Sequence, residues 1–297
     1  MSTMRSATGI GKRLDLSNDA EQLHRTPAIL PLHPETPPEA AMRAILFLPL
    51  VLAALISGCG GSSEPAEAPP PDQRFELLAV YDIAVSDPSG LALDYDGVHL
   101  WTVSDDPGMG MYQLTRQGEV VRHVPFASDD LEGIVVDPAN LTLWVVEERL
   151  RQILNVTRDG VILSRTPVEV PATRPNDGLE GITINTRTGE FFIVNEKNPR
   201  LLIRLDRDLE ILETIPLDFT GEFAMGDLSG ISYDAVENTL WIISDESRRI
   251  VVIDMQYLPV RAYPTGIIKG EGIAVDPDNR RVYAVCDEES RLYVYAY

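Results

Sequence analysis

Three glutamates stand directly before a glycine at the start of an apolar segment, and their carboxylates are the side chains best suited to chemistry. They are Glu132 in DLEGIVVDP, Glu180 in GLEGITINT and Glu271 in GEGIAVDPD. Diverged copies carry Ser89 in PSGLALDYD and Ser229 in LSGISYDAV. If the glutamates converge, they must either take up protons or be neutralised by a cation. Ligands that are all oxygen favour a hard cation, and Ca²⁺ tolerates irregular coordination.

These five copies recur at intervals that indicate a repeat fold. From Ser89 the spacings between them are 43, 48, 49 and 42 residues. Each unit has an apolar first strand, a turn with Asp or Asn, a second strand such as LWVVE and a third such as RQILNVTR. A fourth strand is visible in three of the units, for example as VILSRTPV. Four short strands in a repeat of about 45 residues are typical of a propeller blade. The sequence therefore predicts an all-β protein, a five-bladed β-propeller of four-stranded antiparallel blades.

The last repeat ends after its third strand, so its fourth strand must come from elsewhere. The segment FELLAVYDIAV at 75–85 precedes the first repeat and is available. We therefore predict that the N-terminal strand completes the C-terminal blade, which removes exposed strand edges. The propeller then spans residues 75–297, and residues 59–74 form a flexible linker that ends in a stiffer Pro-rich stretch.

Positions that are alike in every blade serve the blade, whereas positions that differ are candidates for a site. The residue that ends the second strand differs between blades and is Glu147 in the second and Asn195 in the third. In an antiparallel hairpin the start of one strand and the end of the next lie at the same end. We therefore expect Glu147 and Asn195 to join Glu132, Glu180 and Glu271 as calcium ligands at one mouth of the central channel. The alternative is a wide mouth at which the glutamates are hydrated.

Other repeated positions have interpretations that involve no metal. An aromatic residue in the second strand indicates packing between blades, and these residues are Trp101, Trp144, Phe192, Trp241 and Tyr283. An acidic residue after that strand is expected to accept backbone N–H groups in the turn, and these residues are Asp105, Glu148, Glu196, Asp245 and Asp287. Three aspartates before the first strands could add charge around the metal, namely Asp130, Asp177 and Asp227. Zinc is disfavoured, because the domain has two histidines and no paired-cysteine spacing.

The residues upstream of the propeller are typical of a bacterial lipoprotein leader. An apolar run at 44–56 is followed by Ile-Ser-Gly-Cys, which matches a lipobox that ends at Cys59. We predict a signal peptide over residues 42–58 and lipidation of Cys59. Residues 1–41 are then a disordered or mis-called upstream extension. A buried core helix is the alternative for the apolar run.

The net charge of −21 lies entirely in the predicted mature protein, because residues 1–58 carry five basic and five acidic side chains. Such a surface repels nucleic acid. Apart from Cys59 the chain has only Cys286, so no disulfide framework is possible. We expect a monomer in the bacterial cell envelope, attached to the membrane through the lipid on Cys59. Gly60 favours the outer membrane, facing the periplasm. The sequence does not identify a small-molecule or envelope-protein partner.

The set of repeats resembles the SdiA-regulated bacterial propeller family, which is distantly similar to NHL-repeat proteins. The resemblance covers about 89–297 and rests on DLEGIVVDPANLTLWVVEE, GLEGITINTRTGEFFIVNE, DLSGISYDAVENTLWIISDES and GEGIAVDPDNRRVYAVCDEES. It implies a five-bladed propeller with a calcium site at the channel and no established activity. The ligands that it carries over are Glu132, Glu180 and Glu271, whereas Glu147 and Asn195 come from the strand geometry.

Two classes of function are consistent with these observations. The first is a calcium-binding lipoprotein that acts as a ligand- or protein-binding module. The second is a calcium-dependent hydrolase of the lactonase, esterase or phytase-like kind, in which the ion polarises a carbonyl or phosphoryl oxygen and Glu147 acts as the base. The second rests on analogy of fold, which is a weak argument for function. A substrate-sized pocket beside the ion favours the enzyme, whereas a narrow channel favours a structural metal.

Overall fold

The computed structural model describes residues 74–171, 174 and 177–297. These residues form five four-stranded antiparallel sheets, which are the blades of a five-bladed β-propeller. The predicted fold class is therefore confirmed. The predicted upstream extension, the signal peptide, Cys59 and all of the linker up to residue 73 lie outside the described residues. Within the described ranges, no helix is both long enough and apolar enough to cross a membrane.

The strands are short and rich in β-branched and aromatic residues, as a half-buried sheet requires. The N-terminal strand is β1 (Glu76–Asp82). Blade 1 contains β2 (Pro88–Leu93), β3 (His99–Ser104), β4 (Met111–Thr115) and β5 (Val120–Val124). Blade 2 contains β6 (Leu131–Val136), β7 (Leu143–Glu147), β8 (Gln152–Val156) and β9 (Ile162–Pro167). Blade 3 contains β10 (Leu179–Ile184), β11 (Phe191–Asn195), β12 (Leu201–Leu205) and β13 (Ile211–Pro216).

The last two blades follow a single turn of 3₁₀-helix at Gly221–Phe223. Blade 4 contains β14 (Gly230–Asp234), β15 (Thr239–Ser244), β16 (Arg249–Ile253) and β17 (Pro259–Pro264). Blade 5 contains β18 (Gly270–Asp276), β19 (Arg281–Cys286) and β20 (Arg291–Ala296). Its fourth strand is β1, which pairs with β20 and gives the order β1-β20-β19-β18. That the ring depends on this N-terminal strand for its closure stays a prediction.

Apolar side chains fill the space between neighbouring blades. Trp101 and Val103 of blade 1, for example, share a buried cluster with Ile134 and Val145 of blade 2. The aromatic residue of each second strand packs against the next blade around the ring, and these residues are Trp101, Trp144, Phe192, Trp241 and Tyr283. Their interpretation as packing between blades is confirmed.

A glycine in the first strand of each blade lets the strands approach closely around the axis. A Cβ atom added at Gly90 would overlap the backbone of the next blade at Glu132, and one added at Gly272 would overlap the backbone at Ser89. The five glycines form a closed circle, which we call the glycine ring: Gly90, Gly133, Gly181, Gly230 and Gly272. The cavity at this level is only about 10 Å³. The glycine ring therefore divides the channel into two ends.

A polar contact also repeats between blades, and we call it the blade latch. A residue one or two positions after the third strand of one blade reaches the residue that ends, or directly follows, the first strand of the previous blade. Three latches are arginine–aspartate ion pairs: Arg116–Asp276, Arg158–Asp94 and Arg207–Asp137. In a fourth latch the hydroxyl of Tyr297 donates a hydrogen bond of 2.9 Å to Asp234. The remaining junction has Met255 and Asn185 at these positions, and Met255 packs against an apolar cluster instead.

Candidate metal centre

An irregularity at the start of the first strand decides where the glutamates point. In blade 2 two residues, Glu132 and Gly133, lie opposite the single residue Val146, which is a β-bulge. A bulge re-aims a side chain and is common beside functional sites. The register shifts lie between Pro88 and Leu91, Leu131 and Ile134, Leu179 and Ile182, and Gly270 and Ile273. Blade 4, which carries Ser229 in place of glutamate, pairs from Gly230 onward without a shift.

Nine carboxylates line one cavity of about 230 Å³ at this end of the channel, and we call it the acidic cavity. They are Asp87, Asp105, Asp130, Glu132, Glu148, Glu180, Glu196, Glu271 and Asp287. The basic side chains that line it are Arg149 and Lys269. The three glutamates that precede glycine are therefore brought together, and they lie in an environment with a large excess of negative charge.

Six of these carboxylates fall into two groups whose oxygen atoms lie within 4.8 Å of one another. The first group is Asp105, Asp130 and Glu132, and the second group is Glu148, Glu180 and Glu196. Calcium binds oxygen at about 2.3–2.6 Å, so two ligand atoms on one ion are at most about 5 Å apart. Each group therefore has a spacing that one cation could bridge.

Of the buried carboxylates that line the acidic cavity, Glu180 is the one without a partner among the described residues. The residue is 6% exposed, and within the described residues its carboxylate accepts no hydrogen bond and makes no ion pair. By contrast, Glu132 accepts a short hydrogen bond from the hydroxyl of Ser89, and Asp130 lies 3.1 Å from Nε of Arg149. A buried carboxylate without a partner is costly to keep ionised. A bound cation at Glu180 would remove that cost.

Burial and mutual repulsion raise the pKa values in the acidic cavity. Burial raises the pKa of Glu132 and of Glu180 well above the usual range, and nearby carboxylates add to both shifts. Burial, with repulsion from Asp245, raises the pKa of Glu271 to about 7. Burial likewise raises the pKa of Glu148 to about 8. Several of these groups therefore hold protons at neutral pH unless a cation replaces the protons.

Glu147 and Asn195 lie at the same end of their blades but do not line the acidic cavity. The carboxylate of Glu147 accepts a hydrogen bond of 2.7 Å from Arg165, and the side-chain amide of Asn195 donates to backbone carbonyls. Neighbouring residues along a strand point to opposite faces. The next residues, Glu148 and Glu196, consequently face the acidic cavity. The structure does not bring Glu147 and Asn195 together with the three glutamates.

The acidic residue after each second strand is expected to accept N–H groups of its own turn, but two of these residues have backbone partners in the next blade instead. Glu148 accepts the N–H of Gly178 at 2.9 Å, and Asp245 accepts the N–H of Lys269 at 2.7 Å, so both bonds reach the residue before the first strand of the next blade and not the acid's own turn. Four of the five also line the acidic cavity, namely Asp105, Glu148, Glu196 and Asp287. In the sequence these acids recur at the same end of the blades as the glutamates. This recurrence could have identified them as residues of the acidic cavity.

Of the three aspartates expected to add charge around the metal, only Asp130 lines the acidic cavity. Asp177 accepts a hydrogen bond of 3.0 Å from Asn198. Asp227 accepts one of 2.5 Å from the hydroxyl of Ser244. The last two carboxylates are therefore engaged in local hydrogen bonds.

The chain belongs to the SdiA-regulated family, which it matches over residues 70–295. The resemblance drawn from the repeats is confirmed. Glutaminyl cyclase from Myxococcus xanthus is similar in structure, with a TM-score of 0.58 at 13% identity over 74% of this chain and 95% of that chain. A protein of unknown function from Bacteroides caccae gives a TM-score of 0.48 at 14% identity over 66% of this chain and 69% of that chain. Virginiamycin B lyase from Staphylococcus aureus gives 0.45 at 17% identity over 74% of each chain. At 13% identity, the likeness to the cyclase shows the propeller fold alone.

Proposed function

We propose that this chain is a calcium-binding β-propeller of the cell envelope, which acts as a ligand- or protein-binding module. The observation that supports this proposal best is the surroundings of Glu180. Its carboxylate is buried, has no partner among the described residues and faces a cavity that is lined by nine carboxylates and two bases. An ion with two positive charges would offset this excess of negative charge.

The kind and placement of the donors favour calcium over other ions. The acidic cavity offers carboxylate oxygens and the hydroxyl of Ser89, and the described residues that line it include no histidine or cysteine. Such donors suit a hard cation, and Ca²⁺ accepts six to eight of them in irregular arrangements, whereas Mg²⁺ requires a near-octahedral site. In one group of carboxylates the ion would be held by Glu148, Glu180 and Glu196. The other group consists of Asp105, Asp130 and Glu132.

Thermal unfolding of the purified full-length protein tests this proposal. A ligand that binds only the folded state raises the unfolding temperature. We expect calcium to raise it relative to EDTA, and magnesium to raise it less. Glu180→Gln should abolish the rise, whereas Glu119→Gln, an exposed glutamate outside the acidic cavity, should keep it. No rise for the unmodified protein, or an equal rise for Glu180→Gln, would reject the calcium site.

Anchoring in the envelope is tested separately on the two cysteines. The lipobox predicts that a diacylglycerol group is attached to Cys59. In a bacterial host we expect a fatty-acid label to enter the protein and the protein to sediment with membranes. Cys59→Ser should abolish both, whereas Cys286→Ser, which changes a buried thiol of the propeller, should change neither. Label that persists in Cys59→Ser would exclude this anchor.

A calcium-dependent hydrolase is the second candidate, and one observation favours it. The pKa values of Glu148, about 8, and Glu271, about 7, are in the range in which a carboxyl group can donate and accept protons near neutral pH. The cavity volume of about 230 Å³ argues against the hydrolase and favours a structural metal, since pockets for small-molecule substrates usually have about 300–1,000 Å³. Calcium-dependent cleavage of a lactone, an ester or a phosphomonoester that Glu148→Gln abolishes would support the hydrolase.

A further inference from the structure

We infer that the channel has a second binding site at the end opposite the acidic cavity, for a small uncharged organic molecule with an apolar body and a hydrogen-bond acceptor. A cavity of about 390 Å³ lies at that end, and we call it the apolar end. Its volume is within the usual range of ligand pockets. The glycine ring separates it from the acidic cavity, so this inference is independent of calcium binding.

The walls of the apolar end come from the second half of the first strand of every blade. Every blade contributes at least one aliphatic residue to the lining, and these include Leu91, Ile134, Ile182, Ile231 and Val275. A concave apolar wall with a few polar groups is the usual construction of a small-molecule site. Burial of an apolar body against this wall would supply most of the binding free energy.

The ionised groups at the apolar end mostly neutralise one another. Asp94 pairs with Arg158, and Asp276 pairs with Arg116, so neither carboxylate is free to bind a cation. Asp278 is the lining carboxylate for which the described residues provide no ion pair, and it is exposed at the rim. A charged ligand would lose its hydration without gaining an opposite charge deep in the cavity. An uncharged ligand has no such cost.

Tyr95 is the point at which the apolar end departs from five-fold symmetry. The equivalent residues of the other blades are Pro138, Thr186, Ala235 and Pro277. Tyr95 is 50% exposed, and its hydroxyl makes no hydrogen bond within the described part of the chain. The deeper hydroxyls of Thr183 and Ser232 each accept one backbone N–H, from Tyr233 and Val275 respectively. Tyr95 is therefore placed to donate a hydrogen bond to a ligand at the rim.

The test uses prodan, an uncharged naphthalene ketone whose emission shifts to the blue in apolar surroundings and to the red when its carbonyl accepts a hydrogen bond. We expect the full-length protein to bind it saturably with blue-shifted emission. Ala235→Trp fills the rim of the apolar end and should abolish binding. Val236→Trp, at a neighbouring residue that is 63% exposed and does not line the cavity, should leave binding unchanged.

Further variants assign the site within the molecule. Tyr95→Phe should weaken prodan binding by about 2- to 10-fold, the effect of one hydrogen bond, and shift the bound emission further to the blue. Calcium, EDTA and Glu180→Gln should not change the affinity. If Ala235→Trp does not fold, Thr186→Trp covers the cavity from an exposed position and should have the same effect. No saturable binding, unchanged binding in a folded rim variant, or loss of binding in Glu180→Gln would overturn the inference.

Discussion

The two ends of the channel are built from the same five strands, but their carboxylates have different partners. At the apolar end Asp94 accepts hydrogen bonds from Trp101, Gln113 and Arg158. In the acidic cavity nine carboxylates face two basic side chains, and Glu180 has no partner among the described residues. Both ends therefore contain buried acids, and the acidic cavity leaves part of its negative charge uncompensated.

This difference separates charge that supports the fold from charge that suits a ligand. A carboxylate that forms an ion pair with an arginine and accepts an indole N–H stabilises the contact between two blades. Its removal would leave the arginine unpaired. Acids that are held together without such partners destabilise the folded state unless protons or a cation bind. The blade latches belong to the first kind, and the acidic cavity belongs to the second.

The boundary between the two ends should be the most sensitive part of the molecule. A Cβ atom at Gly133 would overlap the backbone of Glu180, so Gly133→Ala should lower the free energy of unfolding by about 3 kcal/mol or more. Gly97→Ala is the control, because a Cβ there meets no atom and only the φ of +76° opposes it, at about 1–2 kcal/mol. Urea unfolding measures both. Equal losses would contradict the close packing of the glycine ring.

The blade latch should have the next largest effect, and the protein itself contains the comparison. Arg158→Met leaves the buried Asp94 without its arginine and should lower the free energy of unfolding by about 3 kcal/mol. Adding Asp94→Asn gives this junction the same residue types as the junction of Asn185 and Met255. The double variant should therefore regain part of the lost free energy of unfolding. If urea unfolding shows that the double variant is no more stable than Arg158→Met, the latch is not an electrostatic unit.

The acidic cavity should make stability depend on pH in a direction opposite to that of salt-bridged acids. Burial and neighbouring acids raise the folded pKa values of Asp105 and Asp287 to about 6, of Glu271 to about 7 and of Glu148 to about 8. Unfolded carboxyl groups titrate near 4, so between about pH 5 and about pH 8 the folded protein binds more protons. In EDTA the unfolding temperature should therefore fall as pH rises through this window.

Calcium should reduce that fall, and Glu148→Gln should flatten it between about pH 6 and about pH 8, because one proton-binding group is removed. Thermal unfolding at constant ionic strength measures both effects. An unfolding temperature that rises with pH in EDTA would show that the acidic cavity does not hold protons as described.

The repeats made the fold predictable, since the five-blade count depends on the spacing of the first strands alone. Glu132, Glu180 and Glu271 could also be predicted, because they break the symmetry of those repeats. The direction of each side chain at the mouth of the channel could not be predicted from the sequence. The bulge at Glu132 shifts the register of β6 against β7 by one residue. Because of this shift, Leu131 and not Glu132 lies opposite Glu147, and Glu148 lines the acidic cavity together with Glu132.

The blade latches could not be predicted for a different reason. Arg158 and Asp94 are 64 residues apart, and only the curvature of the ring brings one blade against the next. The repeats still indicate that the arginine and the aspartate belong together. At one junction both are replaced, the arginine by Met255 and the aspartate by Asn185.

Calorimetric titration with calcium tests the comparison between the two ends most directly. It should be made on the full-length protein, on Glu180→Gln in the acidic cavity and on Asp137→Asn, whose carboxylate is paired with Arg207. We predict saturable calcium binding in the micromolar range, a loss of at least about tenfold in Glu180→Gln and no change in Asp137→Asn. No binding to the unmodified protein, or equal weakening in both variants, would contradict the claim that the uncompensated carboxylates form the site.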